Sequence, residues 1–161
     1  MDPRVKLARK LRRNPAGILK EDEVQVLVTE ARRLFGAELE ERLGVGTPRF
    51  EDHVRWRAVE ARCCQARAEK GMDTRSAATA AKIPRYRVEA VEQGRLSDLR
   101  PDLAWRYFTF LGIDRWVRRW ARANSTLAER AGITPAGSAS AAVRRGCKAG
   151  NLTTRRNGLV R

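Results

Sequence analysis

The chain has 161 residues, with 34 Lys and Arg against 19 Asp and Glu, and its net charge of +15 goes with a pI near 11.2. That length supports one real core and at most a second small one, and the charge points to polyanionic partners. Nucleic acid is favoured over membrane, because no apolar run is long enough to span a bilayer and the N-terminus MDPRVKLARKLRR lacks the apolar stretch of a secretory signal; a cytoplasmic location is expected.

In chain order, a short basic helix is predicted over Val5–Arg12, followed by a break at Asn14-Pro15-Ala16-Gly17. A longer helix is predicted from about Asp22 to Leu43, where Val24, Leu27, Val28, Ala31, Leu34, Phe35, Leu39 and Leu43 recur at three- and four-residue spacing. Gly36 is a point where this helix either bends or divides, and Gly44–Pro48 reads as a hinge. Residues 1–48 thus form an N-terminal helical segment, whose apolar stripe packs either on the rest of the chain or on a second subunit.

A helix over Phe50–Lys70 follows, with Val54, Ala58, Ala61, Ala66 and Ala68 among its apolar positions, Trp56 joining or covering the core, and Gly71 at its end. Asp73 is an N-cap for the alanine-rich run Thr74–Ala81. Ile83-Pro84 interrupts that run, and Arg85–Gln93 is a second short helix closed by Gly94. Met72, Ala77, Ala78, Ala81, Ile83, Val88 and Val91 form one inner face. Outward positions on the second helix are then Arg85, Tyr86 and Arg87, with Glu89 and Ala90 one turn later.

Beyond a polar loop at Arg95–Arg100, Pro101 opens a fourth helix with Ala104, Tyr107, Phe108 and Leu111 at core spacing. Asp114 caps a fifth, with Trp116, Val117 and Trp120 on one side, read as core or interface packing in preference to a base-stacking platform. Its arginines, Arg115, Arg118, Arg119 and Arg122, either contact phosphate or form a solvated face. Residues 125–161 read as a short helical extension and a basic flexible tail, with Gly132–Arg161 rich in small residues and free of acids; the tail either adds nonspecific DNA affinity or is inert.

Met72, Asp73, Thr74–Ser76, Ala77-Ala78, Ile83, Val88, Val91, Glu92 and Gly94 follow, position by position, the pattern of the Cro and lambda-repressor type of helix-turn-helix, also called the xenobiotic-response-element type, which this stretch resembles. The chain departs from that pattern at Lys82, which stands where the family usually has a glycine at positive φ. The resemblance implies an all-α fold with a lambda-repressor-like five-helix DNA-binding domain over residues 49–124. It implies base contacts from Arg85, Tyr86, Arg87 and Ala90, and phosphate contacts from Thr74, Arg95 and Arg100. It also implies a structural ion pair between Arg67 and Glu92.

The sequence offers no phosphate-cradling glycine loop and no nucleophile beside a base, so no enzyme and no cofactor are expected. His53, Cys63, Cys64 and Cys147 nominally supply four zinc ligands, but adjacent cysteines on a helix diverge by about 100°, so no metal is expected. Three cysteines make no disulfide framework either, and reduced thiols are the simpler reading. The expected function is sequence-specific binding of double-stranded DNA in transcription regulation, by a monomer or homodimer. The alternatives are an antitoxin-like protein gripping a partner through Asp22–Leu43, and an architectural protein binding nucleic acid without base readout.

Overall fold

A computed structural model of the chain describes residues 1–43 and 47–134. The side chains of Phe35, Leu39 and Leu43, the glycines of the expected hinge, Cys147 and the tail from Pro135 onward lie outside the described residues. Among those residues the architecture is all-α, with eight α-helices and no strand. In chain order these are α1 (Pro3–Arg13), α2 (Glu21–Leu43), α3 (Thr47–Glu69), α4 (Thr74–Ala81), α5 (Arg85–Glu92), α6 (Pro101–Leu111), α7 (Asp114–Ala123) and α8 (Ser125–Arg130), with one 3-10 turn at Leu96–Asp98. No helix among the described residues is long and apolar enough to cross a membrane.

Several helix ends differ from the sequence reading for local reasons. The third helix begins at Thr47, so Pro48 falls in its first turn, where a missing N–H breaks no intrahelical bond. Along α2 the helix runs through Gly36 without interruption. Asp114 is the first helical residue of α7 and not its cap; Ile113 holds the cap position, without a side-chain bond. Asp73 does cap α4, its Oδ1 accepting from the Ser76 N–H at 2.7 Å.

The main core is built by α3 to α8. Trp56, Val59, Cys63 and Ala66 of α3 meet Ala77, Ala78 and Ala81 of α4, Val88 and Val91 of α5, and Tyr107 and Phe108 of α6. Small alanines let the short helices approach closely, which leaves volume for the aromatic residues. Trp56 and Trp120 meet edge to face, with ring centroids 5.2 Å apart, and both are fully buried. Each indole N–H has a backbone acceptor, Val91 O at 2.9 Å for Trp56 and Arg55 O at 3.0 Å for Trp120, so their burial orphans no donor. Leu127, Ala128 and Ile133 complete this core. Packed structure therefore continues past Gly132, where the flexible tail was expected to start, because Ile133 is anchored through its N–H to Ala128 O at 2.7 Å.

The N-terminal helices dock beside this core. Val24 and Val28 of α2 are buried, with Leu7 and Ala16, outside the main cluster, and α2 packs along both α1 and α3. Lys10 and Glu23 join α1 to α2 at 2.7 Å. Burial acts to raise the Glu23 carboxyl, but hydrogen bonds from Lys10 and from the Lys20 N–H outweigh it and hold the group below its ordinary value. Arg55 ties the segment to the bundle: its Nη2 donates to both Glu21 oxygens, at 2.7 and 2.8 Å, while Nη1 donates to Asn124 Oδ1 at 3.2 Å.

Candidate nucleic-acid interface

The geometry of α4, its turn and α5 is set by two helix terminations of one kind. At the end of α4, the Ile83 N–H bonds Ala78 O at 3.0 Å and the Lys82 N–H bonds Thr79 O at 3.2 Å, with Lys82 at φ 56° and ψ 46°. This is the Schellman arrangement, which needs a left-handed residue at its pivot and favours an apolar one after it. Lys82 is the only non-glycine residue at positive φ among the described residues. Gly94 plays the same part after α5, where the Arg95 N–H bonds Ala90 O at 2.9 Å. A Cβ at Gly94 would also fall against Glu60 Oε1 and within 3.4 Å of His53 Nδ1, so the end of α5 is seated directly on α3. Burial there raises the Glu60 carboxyl above its ordinary value, against a smaller opposing effect of Arg57.

A second constraint is the side-chain cluster under α5. Glu92, with only 7% of its side chain exposed, accepts from Arg67 Nε at 2.9 Å and from the Tyr107 hydroxyl at 2.5 Å. Arg67 also donates through Nη1 to Met72 O at 3.1 Å, which fixes the residue preceding α4. The structure thus brings Arg67 and Glu92 together as an ion pair, and adds Tyr107, which sequence spacing did not pair with them. Burial, followed by the bond to Glu92, pushes the Tyr107 hydroxyl well above the usual phenol range.

With α5 fixed in this way, its exposed strip is narrow. At about 100° per residue, Arg85, Glu89 and Tyr86 fall within one arc of about 100°, and Val88 and Val91 lie on the other side. Arg85 is 61% and Tyr86 55% exposed. Arg85 Nε donates to Glu89 Oε1 at 2.8 Å, and Arg95 Nη2 approaches Glu89 Oε2 at 3.9 Å and Tyr86 O at 3.5 Å. One carboxylate therefore holds two arginines at the surface. At the neighbouring start of α4, Thr74 is half-buried, and Asp73 is held below its ordinary value by the Ser76 N–H first, with a small contribution from Arg85.

Two of the expected outward positions are corrected. Ala90 is 0% exposed, so it is not available to a groove. Arg87 is half-buried: its Nη1 donates to Asp98 O at 2.7 Å, its guanidinium lies 4.9 Å from the Tyr86 ring centroid, and its Nε is buried without a partner. Arg87 is drawn in by the segment that follows α5. The segment Gly94–Arg100 does not extend away as a polar loop but folds into the 3-10 turn Leu96–Asp98, which packs on the flank of α5. Arg100 stands apart from this cluster, exposed at the start of α6 and paired with Asp102 at 3.0 Å.

The other expected chemistry is quickly placed. Cys63 is buried and its thiol is pushed far up by burial, whereas Cys64 is exposed. Among the described residues no three His, Cys, Asp or Glu side chains converge as a metal ion would require. Trp120 lies in the core and Trp116 packs against it. Comparisons with protein-family models, with curated proteins and with solved structures gave no match.

Proposed function

We propose that this chain is a DNA-binding regulator of transcription, with a repressor-type domain over residues 49–124 that lays the start of α5 in the major groove. The observation that carries the reading is the composition of the exposed strip of α5. An arginine and a tyrosine stand free of the core on a helix whose opposite face is fully buried and whose two ends are fixed. An arginine fork matches the O6/N7 edge of guanine, a tyrosine ring gives apolar contact to a thymine methyl, and Glu89 accepts from a cytosine amino group. Arg87 is in this reading a support for Tyr86. Thr74, Arg95 and Arg100 supply phosphate contacts that fix the register, and a dimer would read half-sites about 10 bp apart.

Selection of binding sites from random duplexes tests the reading directly. Arg85→Ala and Tyr86→Ala are each expected to weaken binding to a selected site by roughly tenfold to a hundredfold, with a much smaller effect on random DNA. Equal losses on both kinds of duplex would remove base readout and leave an architectural protein. The reading with a protein partner or a second copy along α2 is favoured by Leu34, which is 56% exposed while Val24 and Val28 are used in packing within the chain.

A further inference from the structure

We propose that α7 is a second phosphate-binding face, one that grips the backbone of duplex DNA without reading its sequence. Arg115, Arg118, Arg119 and Arg122 are all exposed. At about 100° per residue they fall within a single arc of about 100°, opposite the buried Val117, Trp120 and Ala121. The core therefore fixes which way the arginines point, and the stripe is about 10 Å long at 1.5 Å per residue.

What marks this face is the density of its charge, four exposed arginines on one side of a ten-residue helix. Arg4, Arg33, Arg55, Arg67, Arg85 and Arg130 all have carboxylate partners. None of the four arginines of α7 has one among the described residues, and Asp114, one turn before Arg118, pairs with none of them. Beyond Thr134 the chain contains no Asp or Glu, so no side chain of the tail neutralises the stripe. Of the described carboxylates of α2 that a second copy would present, Glu21, Glu23 and Glu30 are already bonded to Arg55, Lys10, and Arg4 with Arg33, which leaves Asp22 and Glu38 against four arginines. Four guanidinium forks in one line, unpaired in a chain of net charge +15, match a polyphosphate backbone.

The inference is independent of base readout by α5, and one set of measurements separates the two. Affinity of the full chain for a random-sequence duplex is measured across a salt series, for the wild type and for a variant carrying R115Q, R118Q, R119Q and R122Q. Each phosphate contact contributes about 0.9 to the slope of log affinity on log salt, so the variant's slope is expected to fall in magnitude by about 3.6 if all four arginines contact phosphate. The corresponding four lysine substitutions should restore most of the slope, and the R118Q/R119Q pair alone, the milder change to the fold, should remove about half of the effect. A slope that the glutamine variants leave unchanged overturns the proposal, as does a wild type whose duplex binding is insensitive to salt. Variants that lose self-association or binding to anionic phosphatidylserine vesicles, while keeping the duplex slope, overturn it too by identifying another occupant. A flattened slope together with equal losses for Arg85→Ala on selected and random sites sustains the α7 face and removes readout by α5.

Discussion

Lys82 shows how much of a turn is set by one residue's backbone. Its side chain makes no ion pair among the described residues, and the Arg106 guanidinium reaches only its carbonyl, at 3.4 Å. Its φ of 56° is nevertheless required by the two hydrogen bonds that end α4 and aim Ile83 into the core. A residue with a Cβ held there is strained by about 1–2 kcal/mol, of which glycine's greater freedom in the unfolded chain returns a part. Lys82→Gly is therefore expected to stabilise the protein by about 0.5–1 kcal/mol, and Lys82→Ala, which keeps the Cβ, to gain nothing. Urea denaturation of the two variants checks this; equal midpoints for wild type and Lys82→Gly would mean that the turn holds no strain. Sequence reading identified this position because glycine is usual there, and such a departure is legible without coordinates. Ala90 was not legible in that way, since its burial depends on how the neighbouring elements pack around α5.

At the scale of elements, periodicity along the chain located the helices well and the contacts between them less well. The bounds of α4 follow from Asp73 and the alanine run, and α6 from Pro101 and the spacing of Ala104, Tyr107, Phe108 and Leu111. The 3-10 turn lies against one flank of α5 and is tied to it by Arg87 donating to Asp98 O, a contact that no helical period encodes. The cluster of Arg67, Glu92 and Tyr107 was half legible: the resemblance alone linked the first two, whereas Tyr107 read only as a core position. That cluster joins α3, α5 and α6 through one nearly buried carboxylate. Glu92→Ala should therefore cost about 1–3 kcal/mol, because it leaves the half-buried Arg67 charge without its carboxylate and the buried Tyr107 hydroxyl without an acceptor. Glu92→Gln, which keeps an acceptor for Tyr107, should cost less. Unchanged thermal melting of the alanine variant would show that the three helices are held by apolar packing alone.

For the molecule as a whole, the division between a main core and a smaller N-terminal one has a dynamic consequence. The bundle α3 to α8 contains the large buried side chains, Trp56, Trp120, Tyr107 and Phe108 among them, each within one contiguous cluster. Outside it, Leu7, Ala16, Val24 and Val28 are the buried apolar residues of α1, α2 and their connection among the described residues. The polar ties across the boundary are modest. Glu21 is 66% exposed, so its bond to Arg55 is screened and contributes little, although Arg55 itself is well covered. Regions with few buried apolar contacts open at free energies below that of global unfolding. Native-state hydrogen exchange should accordingly show the amides of α1 and α2 exchanging through a common sub-global opening, while those of α3, α6 and α7 exchange only with global unfolding. Arg55→Gln should speed exchange in α2 further and leave α6 almost unaffected, because Tyr107 and Phe108 belong to the other core. If every helix exchanges at the same free energy, the N-terminal helices are instead an inseparable part of one cooperative unit, and Val24 and Val28 contribute more than their small area suggests.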